Sequence, residues 1–126
     1  MFLVDTNVFL EILLGQKKKE EAKKFLSENI DRLYMTDFSL HSIGVILFKL
    51  RKPEVFEEFI EDVLPNVEIL SLPVESYPEL IRVHKTLNLD FDDAYQCAVA
   101  NVFDLTVVTM DTDFTKALNY VKILFL

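Results

Sequence analysis

Oxygen-bearing side chains gather in three short stretches of this chain: Asp5-Thr6-Asn7, then Asp90, Asp92 and Asp93, then Thr109, Asp111 and Asp113. Carboxylates brought together repel one another and are costly unless a cation neutralises them. Hard oxygen donors without a Cys or His cluster suit Mg²⁺ or Mn²⁺ rather than zinc. Such a centre can activate water for in-line attack on a phosphodiester and stabilise the leaving oxygen. Each acid also has a plainer local role. Asp90 can cap a helix, and Asp92 and Asp93 can complement its dipole. Asp113 can cap a short helix, and Asp111 can serve a turn. Asp5 is the hardest to explain locally. It ends a wholly apolar run close to the core, where an acid needs a partner or a metal.

Whether these stretches meet depends on the elements that carry them. Met1-Phe-Leu-Val-Asp5 reads as a fully buried strand tipped by Asp5. Val8, Phe9, Ile12 and Leu13 have helical spacing across Asn7–Leu14, with Gly15 as the stop. Lys17–Asn29 predicts a second helix with Ala22, Phe25 and Leu26 inward, and Arg32–Met35 a second strand. Thr36 caps a third helix whose inner face is Phe38, Leu40, Ile43, Leu47 and Leu50. Pro53 opens a fourth, with Val55, Phe56, Phe59, Ile60 and Val63 apolar. Val67–Leu72 is a third strand, and a helix from Pro73 carries Val74, Tyr77, Leu80, Ile81 and Leu87. Asp90 caps a helix running to about Phe103. A β-branched strand at Leu105–Thr109, a short Asp113–Leu118 helix and a strand at Val121–Phe125 close the chain.

Strands alternate with helices, and the strands are continuous apolar runs. That pattern predicts a three-layer α/β/α sandwich around a central parallel sheet, as one domain over residues 1–126. In open parallel sheets ligands bind beyond the C-terminal ends of the strands. Asp5, Asp93 and Asp111 are therefore expected to converge on one rim.

The composition limits the alternatives. Of 126 residues 51% are hydrophobic, ample for a packed core and too many for a disordered chain. The one cysteine, Cys97, excludes an intramolecular disulfide and a Cys-rich zinc site, and suits a reducing cytosol, so a cytoplasmic protein is expected. No apolar run reaches the roughly 18 residues of a membrane span. Asp5 breaks the first apolar run after four residues with no basic stretch before it, unlike a signal peptide. The net charge of −8 argues against broad non-specific nucleic-acid binding. It does not argue against a nucleic-acid enzyme whose carboxylates recruit cations.

Asp5-Thr6-Asn7 after an N-terminal strand resembles the opening of PIN-domain nucleases. Asp93-Ala94, within Leu89-Asp-Phe-Asp-Asp-Ala-Tyr-Gln-Cys-Ala98, is similar to that family's helix-borne acid followed by small residues. Val107-Val-Thr-Met-Asp-Thr-Asp-Phe114 resembles its late T-x-D-x-D-F segment, the most specific of the three. Order, spacing and length agree along the whole chain. Small free-standing PIN domains are often the toxin halves of VapBC toxin–antitoxin pairs. The resemblance implies a Mg²⁺- or Mn²⁺-dependent endoribonuclease acting on RNA and restrained by a small antitoxin protein. It implies that Asp5, Asp93 and Asp111 are catalytic and metal-binding, that Asp113 is an accessory metal acid, and that Asn7 and Thr109 are supporting polar residues. It also implies a homodimer, for which the region between Lys17 and Val63 offers Phe56 and Phe59 as anchors.

One stretch departs from the family. Where a Glu is usual on the third helix, Thr36-Asp-Phe-Ser-Leu-His-Ser-Ile43 aligns Ser42, with His41 beside it and Asp37 the nearest acid. A site short of one carboxylate would hold metal more weakly, so a catalytically impaired PIN domain that binds RNA or protein is the alternative. His41 reads either as a ligand or phosphate contact, or as a partly buried helix histidine with a hydrogen-bond partner. Lys17, Lys18 and Lys19, with Arg51 and Lys52, are the candidate RNA contacts in an otherwise acidic chain. The plainer reading of the lysine run is a solvated helix face with Glu20 paired to Lys24. A phosphoacceptor domain would also place an Asp after its first strand, but its pattern requires further acids that this sequence lacks, Asn7 standing where one of them would be.

Overall fold

The computed structural model describes all 126 residues. Strand β1 (Phe2–Val4) leads through Asp5 into helix α1 (Thr6–Leu13), and α2 (Lys19–Glu28) follows. Next come β2 (Leu33–Thr36), α3 (Asp37–Lys49), α4 (Pro53–Asp62) and β3 (Glu68–Leu70). The second half holds α5 (Tyr77–Leu87), α6 (Phe91–Phe103), β4 (Thr106–Thr109), a 3₁₀ segment (Thr112–Ala117) and β5 (Ile123–Phe125).

The five strands form one sheet in the order β3-β2-β1-β4-β5, every pair parallel. Parallel pairing requires crossovers, and the crossing helices cover both faces, as the apolar strand runs require. Successive residues of β1 point to opposite sides. Leu3 and Val107 pack with α5 and α6, through Leu80, Val83, Ala98 and Val99. Val4 and Val108 pack with α1, α3 and α4, through Phe9, Ile43, Leu47 and Phe59. Residues 94–100 of α6 are all buried, and three of the seven are Ala, which lets this helix approach closely. The three-layer α/β/α sandwich read from the sequence is what the chain forms.

The sheet order creates the site. From β1 the chain winds outward to β2 and β3; it then returns across β1 to β4 and winds the other way to β5. The reversal lies between β1 and β4, where the first turns of opposing connections part and leave a crevice. Asp5 follows β1 and Asp111 follows β4. The Asp5 backbone N–H still donates to the Val108 carbonyl at 2.9 Å, so the two ends are stitched together up to the rim.

Several inward faces differ from the sequence expectation. Phe38, Leu50, Ile60, Val74 and Ile81 are exposed, while Ser39 is buried. Thr36 caps α3 as expected, its hydroxyl accepting from the Ser39 N–H at 2.9 Å and donating to Ser39 Oγ. That pairing is what lets a serine occupy the inner face. Gly15 takes φ +62, the left-handed stop after α1. Lys24 pairs with Glu28 at 4.0 Å rather than with Glu20, the other neighbour one turn away. Phe59 is sealed in the core against Phe9, their ring centroids 5.4 Å apart, so it is no anchor for a dimer. The exposed large apolar side chains between Lys17 and Val63 are Ile30, Phe38, Val45, Phe48, Leu50 and Ile60. No helix is long and apolar enough to cross a membrane.

Candidate active site

A cleft of about 240 Å³ opens at the β1–β4 reversal, lined by Asp5, Asn7, Ser42, Asp92, Asp93 and Asp111 among others. Four carboxylates face it and no Lys, Arg or His does. Asp5 arrives from β1, Asp92 and Asp93 from the first turn of α6, and Asp111 from the end of β4. The remaining wall is α3. Phe38, Ser42 and Ile46 recur every four residues and so share one helical face.

Asp5 is buried, and both its oxygens are held. Gln96 Nε2 donates to Oδ1 at 2.6 Å, and Thr109 Oγ1 donates to Oδ2 at 2.7 Å. Burial nevertheless raises the Asp5 pKa; the Gln96 and Thr109 bonds oppose the rise, and Asp111 adds to it. Thr109 also accepts from the Asp111 backbone N–H at 2.9 Å, tying the two acid-bearing segments through one hydroxyl. The Asn7 Oδ1 accepts from the Met110 N–H at 3.3 Å, so Asn7 braces the start of the same loop. Asp93 is half-buried, and its carboxyl is pushed up to about 7 by burial and then by Asp92, Asp5, Asp111 and Asp90. Mutual repulsion among these acids is thus felt within the fold.

Asp5, Asp93 and Asp111 share one cleft, but they stand apart around it. The three acids converge on one rim, though no three His, Cys, Asp or Glu side chains meet closely enough to form a ready-made metal cluster. Carboxylates facing one another with no positive group between them have reason to keep that distance. The donor set is all oxygen and strongly acidic, which fits a hard divalent cation and not zinc.

Other candidates fall elsewhere. Asp113 is exposed and does not line the cleft; its backbone N–H donates to Asp111 Oδ1, so Asp111 rather than Asp113 caps the 3₁₀ segment. Asp90 occupies the cap position of α6 without making a cap hydrogen bond. His41 is exposed and points away from the acids, into an apolar groove with Val45, Phe48 and Phe56; it is neither at the rim nor partly buried. Its neighbour Ser42 faces the cleft because successive helical residues are about 100° apart. Asp37 accepts from the Tyr95 and Ser71 hydroxyls at 2.8 and 3.0 Å, a structural junction outside the cleft. None of Lys17, Lys18, Lys19, Arg51 and Lys52 lines the cleft. Lys18 is engaged, its Nζ donating to the Leu126 carbonyl at 2.9 Å. Arg51 and Lys52 lie beyond the far end of α3. Burial pushes the Cys97 thiol up to about 12, so it is no nucleophile.

Gln96, packed behind Asp5, is the residue of this site that the sequence pattern did not single out. The available signal for Gln96 was a lone amide in a helix run of small and apolar residues, three positions after Asp93.

A family model described as the PIN domain matches residues 2–118. The chain belongs to the PIN domain family. Among solved structures this PIN domain is similar to FitAcB from Neisseria gonorrhoeae, with 27% identity, a TM-score of 0.76, and coverage of 100% of this chain and 97% of that one. A toxin–antitoxin complex from Klebsiella pneumoniae matches at 20% identity and TM-score 0.73, covering 90% of each chain. VapC20 of Mycobacterium tuberculosis, a toxin that cleaves the sarcin–ricin loop, matches at 15% identity and TM-score 0.77, covering 97% of this chain and 98% of that one. The last two show a common fold. A search of curated proteins finds no match.

Proposed function

We propose that this PIN domain is a Mg²⁺- or Mn²⁺-dependent endoribonuclease of the toxin type, with Asp5, Asp93 and Asp111 holding the cation. The observation that carries the reading is the cleft itself: four aspartates and no basic side chain at the point where the sheet order reverses. A divalent cation bound there supplies a nucleophilic water and stabilises the leaving oxygen of an in-line displacement. The protein's part is positional. Thr109 and Gln96 hold the Asp5 carboxylate in place. Thr109 also fixes the backbone at Asp111, and Asn7 fixes it at Met110. Asp93, near neutrality without a cation, is ready to lose its proton when one binds.

The toxin assignment and a small antitoxin partner rest on the likeness to toxin–antitoxin structures. The reading also treats residues 1–126 as one functional domain. A second reading has one specific observation in its favour. Ser42 faces the cleft where the family pattern puts Glu, so the domain would bind RNA or protein with little cleavage. RNA cleavage assayed with Mn²⁺, with EDTA, and with Asp111→Asn decides between them. Cleavage lost in the last two conditions supports the nuclease. Activity that persists in EDTA refutes the metal mechanism. A wild type inactive at saturating Mn²⁺ but active as Ser42→Glu favours the binding module.

A further inference from the structure

Gln96 is the one amide side chain among residues 94–100, and it is 2% exposed. Its Nε2 donates to Asp5 Oδ1 at 2.6 Å, while its Oε1 is buried with no hydrogen-bond partner. An unpaired buried carbonyl is a standing cost to the fold. A position that needed only volume would be better filled by Met or Leu. The amide is therefore to be explained by what its N–H does for Asp5.

Gln96 stands three residues after Asp93 on α6, so the helix that carries one cleft acid also grips the acid of β1. Thr109 of β4 grips the second Asp5 oxygen. Donors from two elements leave the carboxylate no freedom to rotate and set its distance from α6. Both donors are uncharged. A Lys or Arg in either place would neutralise Asp5 and compete with a cation, whereas an amide and a hydroxyl orient it and leave its charge intact. Partners of this kind, one step behind the ligands, commonly control metal affinity tenfold or more.

We infer that Gln96 is a positioning residue for cation binding, fixing the Asp5 carboxylate relative to Asp93 so that both acids engage one divalent ion. The inference rests on the metal-site reading above, and its test separates the two.

Mn²⁺ binding is measured by titration calorimetry on the wild type, Gln96→Met, Gln96→Asn and Asp5→Asn, with circular dichroism confirming that each is folded. Gln96→Met keeps the volume and removes the donor; Gln96→Asn keeps an amide and withdraws it by one methylene. Both should weaken Mn²⁺ binding by at least tenfold. Melting temperature gives a second readout without metal. Gln96→Met should raise it more in the Asp5→Asn background than in the wild type, because there the orphan carbonyl is removed and no carboxylate loses a donor. Equal Mn²⁺ affinity in wild type and both Gln96 variants overturns the role of Gln96 and leaves the metal site standing. Equal melting shifts in the two backgrounds also overturn it, since a packing role is indifferent to residue 5. A wild type that binds no Mn²⁺, or binds it as well as Asp5→Asn does, overturns the metal site and this inference with it.

Discussion

At pH 8 without added metal, Asp93→Asn should melt above the wild type. Burial and the neighbouring carboxylates push Asp93 up to about 7 from its ordinary 3.8, so the folded protein holds this proton more tightly than the unfolded chain does. The resulting penalty on folding is absent below about pH 3.8, grows through the interval, and is complete above about pH 7. At 1.36 kcal/mol per pH unit that interval has a ceiling of about 4 kcal/mol. Asp93 is only half-buried, and solvent screening brings the expectation to roughly 2 kcal/mol. Asn keeps the shape and cannot ionise, so it removes the penalty. For a domain of this size the gain corresponds to roughly 6–10 °C in melting temperature. Thermal melts of both proteins from pH 4 to pH 8 in EDTA measure it. The curves should coincide near pH 4 and separate steadily towards pH 8. A constant offset across the range, or a variant that melts lower at pH 8, would refute the electrostatic argument.

Four further outcomes follow from the same geometry. Asp5→Asn should abolish RNA cleavage while leaving the melting temperature unchanged or higher, because a buried charge and its repulsion with Asp111 are relieved. Mn²⁺ at a hundred times its dissociation constant should stabilise the wild type by about 2.7 kcal/mol and Asp93→Asn by much less, as read by thermal shift. Ser42→Glu should tighten Mn²⁺ binding about tenfold by adding an oxygen donor to the cleft wall; unchanged affinity in calorimetry would mean that residue 42 is not the family's Glu position. Phe59→Ala should cost about 3–5 kcal/mol in urea unfolding, and Phe48→Ala less than about 1 kcal/mol, since one ring is sealed in the core and the other is exposed.

The order and type of the elements were readable because each carries a local signal. An apolar run ends at Asp5, Thr36 caps α3, Pro53 opens α4, and small residues pack α6. The cleft was readable because parallel sheets place their ligands at strand ends. Finer facts were not. His41 and Ser42 are adjacent in sequence, and only the rotation of α3 against the sheet decides which of them sees the acids. Phe59 and Ile60 are equally apolar, yet one is buried and the other exposed, a choice made by how α4 rolls onto α3. Asp111 caps the turn that Asp113 was expected to cap, because the chain enters the 3₁₀ segment two residues earlier. The grip of Gln96 on Asp5 spans 91 residues, and no local pattern records a contact of that range.

The metal mechanism requires the separated acids to close around a cation. Crystals grown with saturating Mn²⁺ and measured at the manganese absorption edge test this directly. An anomalous peak is expected in the cleft between β1, β4 and α6, with oxygens of Asp5, Asp93 and Asp111 drawn to about 2.1 Å from it. A cleft without a peak, or a peak that any of these three carboxylates fails to reach, would contradict that mechanism.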